Sequence, residues 1–189
     1  YVQEFLTNYK VKYSIMAIIF VFLYFLIYAT NRGIKKGLKE FFDSEKKEMP
    51  KLPNKSLALI ISTITSVITS NDLVQKIILG ISNASFGKTE SIFGLDIGYY
   101  FFQKPLIDQI LNYGFWLVIG LTVYMALYYI IVFNRYFDGV DETMLRGSLL
   151  IKKILRNVML IAIIFGIGTI FNTQNILFGK ITTVENSST

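Results

Sequence analysis

The feature that most constrains this chain is a run of nineteen residues, 13–31, that carries no charge and consists mainly of Ile, Phe, Tyr, Leu and Val. A helix needs about 20 apolar residues to cross the roughly 30 Å hydrocarbon core of a bilayer. A backbone at that depth must satisfy its own hydrogen bonds, which leaves a helix as the form open to such a run. Two further uncharged runs, 26 residues at 109–134 and 23 residues at 157–179, meet the same requirement. A fourth, 56–71, has only 16 uncharged residues, and seven of them are Ser or Thr. Hydroxyls are tolerated in such a helix when they bond their own backbone or a neighbouring helix. The segment reads as a span, with a buried or re-entrant helix as the alternative.

Charge tests the count. The basic residues before, between and after these runs number 2, 8, 3, 5 and 1. Positive residues collect on the cytoplasmic side, so the alternation fits four spans with both ends of the chain extracytoplasmic. The expected fold is therefore an all-α transmembrane bundle of four spans, about 13–31, 55–71, 109–134 and 157–179. It forms a single membrane domain over 1–189, with basic inside loops at 32–54 and 135–156 and an outside loop at 72–108.

Two connecting segments read as interfacial amphipathic helices. In 33–49, Ile34, Leu38, Phe41 and Phe42 recur at helical spacing opposite Lys35, Lys36, Lys39, Lys46 and Lys47. That pattern suits a helix lying on anionic lipid at the inner surface, or a charged connector that only fixes topology. Beyond the second span, Asp72 is placed to cap a short helix carrying Leu73, Val74, Ile77, Ile78 and Ile81, and 82–87 is turn-like. Small residues mark packing faces at Ser62, Ser66 and Thr69 on the second span and at Ala162 and Gly166 on the fourth.

Composition removes much chemistry. The chain has no cysteine and no histidine, which excludes disulfides, thiolate sites and the usual general base. No charge falls inside the runs, which argues against a proton pathway built from this segment alone. No catalytic, cofactor-binding or metal-ligating set is assigned. The net charge of +6 is accounted for by the inside loops, so no nucleic-acid partner is implied. The expected partners are the bilayer, anionic lipids at its inner surface, and the remaining helices and a soluble region of the same protein. The first run follows Lys10 and Lys12 without a small-residue cleavage site and does not read as a signal peptide. The start at Tyr1 and the polar run 185–189 suggest a piece of a longer protein.

The most distinctive segment is 91–105, SIFGLDIGYYFFQKP. Its aromatic residues crowd just before a span, where such rings anchor at headgroup level. Phe93, Asp96, Gly98, Tyr100, Phe102 and Pro105 form the candidate interaction motif. Gly94 and Gly98 let the chain bend there, and Pro105 suits the first turn of the third span. Asp96 and Asp108 lie near the outer boundary, able to cap a helix, face water or coordinate a cation.

This segment is similar to a stretch in uncharacterised protein family 0182, large bacterial membrane proteins. The similarity rests on Ile92, Phe93, Asp96, Ile97, Gly98, Tyr100, Phe102 and Pro105. The family's aspartate-proline is replaced by Glu90 and Ser91, and one core phenylalanine by Tyr99. The resemblance implies a bacterial plasma-membrane location and a multi-spanning half followed by a large water-soluble region. It implies no activity. The leading expectation is an anchor and scaffold for an extracytoplasmic region, with 91–105 as its docking collar. The alternatives are part of a transporter or channel using the hydroxyl face of the second span, or a membrane-bound envelope enzyme whose chemistry lies elsewhere.

Overall fold

The computed structural model describes residues 2–81, 85–89, 91–139 and 148–186, with side chains over 9–81, 85–89, 91–139 and 148–174. Glu90, part of the turn-like 82–87 segment, Arg146 of the basic 135–156 loop and the last residues of the polar tail lie outside the described residues. Four helices make up nearly all of the rest: α1 (Val2–Ser44), α2 (Asn54–Ile81), α3 (Lys104–Tyr136) and α4 (Leu149–Asn186). A π-helical turn, Tyr99–Gln103, leads directly into α3. All four helices are long and apolar enough to cross a membrane. Among the described residues the only extended pairing is a single antiparallel bridge between Thr89 and Asp96.

The expected surface helix over 33–49 is corrected. Its helical periodicity holds as far as Ser44, but the segment is the last part of one uninterrupted 43-residue helix. At 1.5 Å per residue α1 is roughly 65 Å long, about twice the hydrocarbon thickness. Ile34, Leu38, Phe41 and Phe42 are buried against Met125, Tyr129, Val132 and Phe133 of α3 and Leu150 of α4. Protein covers the apolar stripe because these three helices all continue to the same end of the bundle, here called the basic end. Gly37 permits the approach: a Cβ there would lie 2.0 Å from the Tyr129 hydroxyl.

α1 stops in a Schellman arrangement. The Lys47 N–H donates to the Phe42 carbonyl (2.9 Å) and the Lys46 N–H to that of Asp43 (3.3 Å), with Lys46 left-handed at φ 52°. Lys47 then donates through Nζ to the Tyr136 carbonyl at 2.9 Å and lies 4.7 Å from the centre of the Phe137 ring. A cation is thus placed at the negative end of α3.

The helix expected to begin at Asp72 is also corrected. α2 runs unbroken through Asp72 to Ile81, so the expected elbow is the continuation of the second span in one 28-residue helix. Its buried face is Ala58, Ser62, Ser66, Ser70 and Val74, a four-residue repeat that lets α1 come close; Ser70 rather than Thr69 completes the row. The serine hydroxyls donate to their own helix, to the carbonyls of Leu59, Thr63 and Val67. The pair Ala162 and Gly166, expected to pack, is exposed, and nothing lies within 4 Å of a Cβ built on Gly166. α4 is held to α3 instead by Asn157, whose amide donates to Thr122 Oγ1 at 3.0 Å.

Candidate functional site

The opposite end of the bundle carries the candidate motif, and one carboxylate organises it. Asp96 precedes the helical stretch that begins at Ile97. Its Oδ1 accepts the N–H groups of Gly98 (2.6 Å) and Phe86 (3.1 Å). Its Oδ2 accepts the Ser85 hydroxyl (2.6 Å) and the Gly87 N–H (3.1 Å). The first contact is an N-terminal helix cap; the other three tie the 85–87 strip down onto that cap. Ile97 N–H to the Lys88 carbonyl, 3.0 Å, closes the same loop. Four donors occupy the four lone-pair positions of a carboxylate, so Asp96 works as a structural anion rather than a cation ligand or a base.

The clamp fixes the rings around it. Phe86 stacks on Phe102 at 14° and meets Phe101 edge-on, both with centroids 6.2 Å apart. Tyr99 and Tyr100 meet edge to face at 5.3 Å. Tyr100 and Gly98 are buried, Phe102 and Pro105 half-buried, and Ile92, Phe93 and Phe101 exposed. Of the two expected hinge glycines only Gly94 is left-handed, at φ 67°. Gly98 is helical, φ −56° and ψ −32°, and its contribution is an N–H to the clamp. Pro105 lies in the first turn of α3, and the Lys104 N–H reaches back five residues to the Tyr99 carbonyl. The widened turn gives the proline ring room against the carbonyl four residues earlier, which a regular α-turn would crowd.

A buried charge sits just behind the motif, where none was expected. Lys104 is 2% exposed, and its Nζ donates to both oxygens of Asp108, at 2.5 and 2.6 Å. Lys76 of α2 donates to Gln109, and Lys104 lies 5.8 Å from the Phe171 ring centre. Lys76 and Lys104 are thus both answered by protein, and their contacts stitch α2, α3 and α4 together. At the basic end a second polar lock joins three helices. Asn31, fully buried, donates to the Asn54 carbonyl at 3.0 Å and accepts the Tyr124 hydroxyl at 2.7 Å.

The donors on Asp96, the Ser85 hydroxyl foremost and then the Gly98 N–H, hold its carboxyl below the usual carboxylate range. A depressed pKa contributes stability above the unfolded-state value, near 4, and loses it as pH falls through the lowered folded value. The clamp is therefore fully formed at neutral pH. Asp96→Asn, which exchanges an accepting oxygen for an NH₂ facing donors, should speed tryptic cleavage after Lys88 at pH 7.5. An unchanged cleavage rate would contradict the clamp.

The sequence profile of Uncharacterised protein family (UPF0182) matches residues 1–186. The chain belongs to this family. A UPF0182 protein of Caldicellulosiruptor saccharolyticus is 26% identical over 174 residues, covering 92% of this chain and 19% of the relative. One from Clostridium novyi is 30% identical over 134 residues, 68% of this chain and 15% of that protein. One from Trichlorobacter lovleyi is 26% identical over 117 residues, 56% of this chain and 12% of that protein. The chain thus spans a fifth or less of the length of these UPF0182 relatives. No solved structure matches it.

Proposed function

We propose that this UPF0182 segment is the membrane anchor and scaffold of a larger bacterial envelope protein. Its spans lie at about 13–31, 55–71, 109–134 and 157–179, in the plasma membrane. The basic end faces the cytoplasm, both ends of the segment face outward, and the aromatic motif is the collar on which the rest of the protein docks. The eight basic residues of 32–55 against three in 72–108 support this orientation.

The observation that carries the docking role is the clamp. A loop that only dips rings into the headgroup layer has no need of a four-donor anion, whereas a recognition surface does need a fixed shape. Here Ile92, Phe93 and Phe101 are exposed apolar residues on a segment whose backbone is tied at four points. The roughly fivefold greater length of the UPF0182 relatives is consistent with a partner from the same chain. The hydroxyl row of α2 gives little support to a transport pathway within this segment, because it is buried between helices and bonded to its own backbone.

The full-length protein carrying Phe93→Ser with Phe101→Ser, which leaves Asp96 intact, tests the role. After extraction in mild detergent, the region outside this segment should become markedly more sensitive to protease while the four helices stay protected. Unchanged resistance of that region would refute docking on the collar.

A further inference from the structure

The basic end holds a cavity of about 490 Å³, lined by Tyr28, Arg32 and Lys35 of α1 and by Leu52, Pro53, Asn54, Lys55 and Ser56 at the start of α2. Tyr28, Arg32 and Lys35 follow at i, i+4 and i+7, one stripe of a helix. Three of the eight lining residues are cationic and none is acidic. Among the described residues none of these three cations makes an ion pair. This distinguishes the cavity from the opposite end, where Lys104 and Lys76 are both answered by side chains of the bundle.

Two further features define what would fit. The first turn of α2 leaves N–H groups without helical acceptors, and the helix dipole adds positive potential at that place. The Asn31–Asn54 lock holds this helix start against α1. The cavity also lies where both helices change character at the same level. Tyr28 belongs to the uncharged run 13–31 and Arg32 is the first charge after it; Lys55 is the last charge before the uncharged run 56–71. That boundary is where lipid headgroups sit against a spanning helix. Arg32 offers a planar fork matched to two phosphate oxygens, and Lys35 and Lys55 offer point charges.

We propose that this cavity binds the phosphate of an anionic phospholipid headgroup, with Arg32 as the principal contact and Lys35, Lys55 and the α2 N-terminus completing the site. The chemistry is recognition of a phosphodiester at headgroup depth. It is independent of the collar, and a lipid bound there would brace the α1–α2 junction.

The test uses the full-length protein in phosphatidylcholine nanodiscs containing a minor fraction of phosphatidylglycerol, with retained lipid counted by native mass spectrometry. Arg32→Gln with Lys35→Gln should lower phosphatidylglycerol occupancy by about tenfold or more. Lys36→Gln with Lys39→Gln removes the same charge from α1 outside the cavity and should leave occupancy nearly unchanged. Equal loss in both pairs would reduce the effect to general surface charge and overturn the site. Displacement of the retained lipid by millimolar inorganic phosphate would place the ligand in solution and overturn the lipid assignment.

Discussion

Replacing Phe133 by alanine should cost the bundle about 3–5 kcal/mol, the range for deleting a buried aromatic ring from a packed core. Phe133 is buried at the centre of the basic-end cluster. It meets Phe41 edge to face at 5.1 Å and Phe137 at 5.4 Å, and stacks with Tyr129 at 6.0 Å. Its loss would open a void bordered by α1 and α3 together, where the Tyr129 hydroxyl donates to the Ile34 carbonyl at 3.4 Å. The comparison is Phe22→Ala, whose ring is 60% exposed on the flank of α1. Thermal melting of the full-length protein in mild detergent should separate the two clearly, with the Phe133 variant lower. Equal midpoints would mean that the far part of α1 lies on lipid after all.

The second large effect concerns α2. Ile64 is 56% exposed, on the side away from the Ser62–Ser66–Ser70 row that packs on α1. If α2 spans, an arginine at this position faces hydrocarbon and should raise the insertion free energy by about 2.5–3.5 kcal/mol. Glycosylation acceptor sites on either side of the helix report whether it crosses. Insertion of the Ile64→Arg variant at the wild-type level would show that this helix does not present Ile64 at membrane depth.

The four helices were legible in the sequence because uncharged runs of this length have few other uses. The resemblance to the family was carried by one segment, 91–105. The extent of the helices was not. The charged residues after Asn31 looked like an interfacial connector, since period and charge cannot tell a stripe covered by lipid from one covered by a neighbouring helix. Asp72 looked like a helix start because an aspartate after an apolar run is a good cap, yet α2 continues past it and meets Gln109 through Lys76.

The polar contacts across the bundle left no local signal at all. Asn31 stood only as the last uncharged residue of a run, and its partner Tyr124 lies 93 positions away. Lys104 and Asp108 are spaced i, i+4, which on a surface is an ordinary solvated pair; the burial of the lysine, with Phe171 of α4 beside it, is invisible locally. The cap at Asp96 was one of three readings open from sequence. What decided among them was the 85–87 strip, ten residues upstream, which supplies three of the four donors.

The orientation of the bundle is the claim on which anchoring and docking both depend, and site-directed thiol labelling of intact cells measures it most directly. The segment has no cysteine of its own, and Lys88 and Glu45 are exposed at opposite ends of the bundle. In a full-length background freed of other cysteines, Lys88→Cys should react with a membrane-impermeant maleimide. Glu45→Cys should react only after the cells are permeabilised. Labelling of Glu45→Cys from outside, with Lys88→Cys protected, would invert the bundle and remove the collar from the side on which the account places its partner.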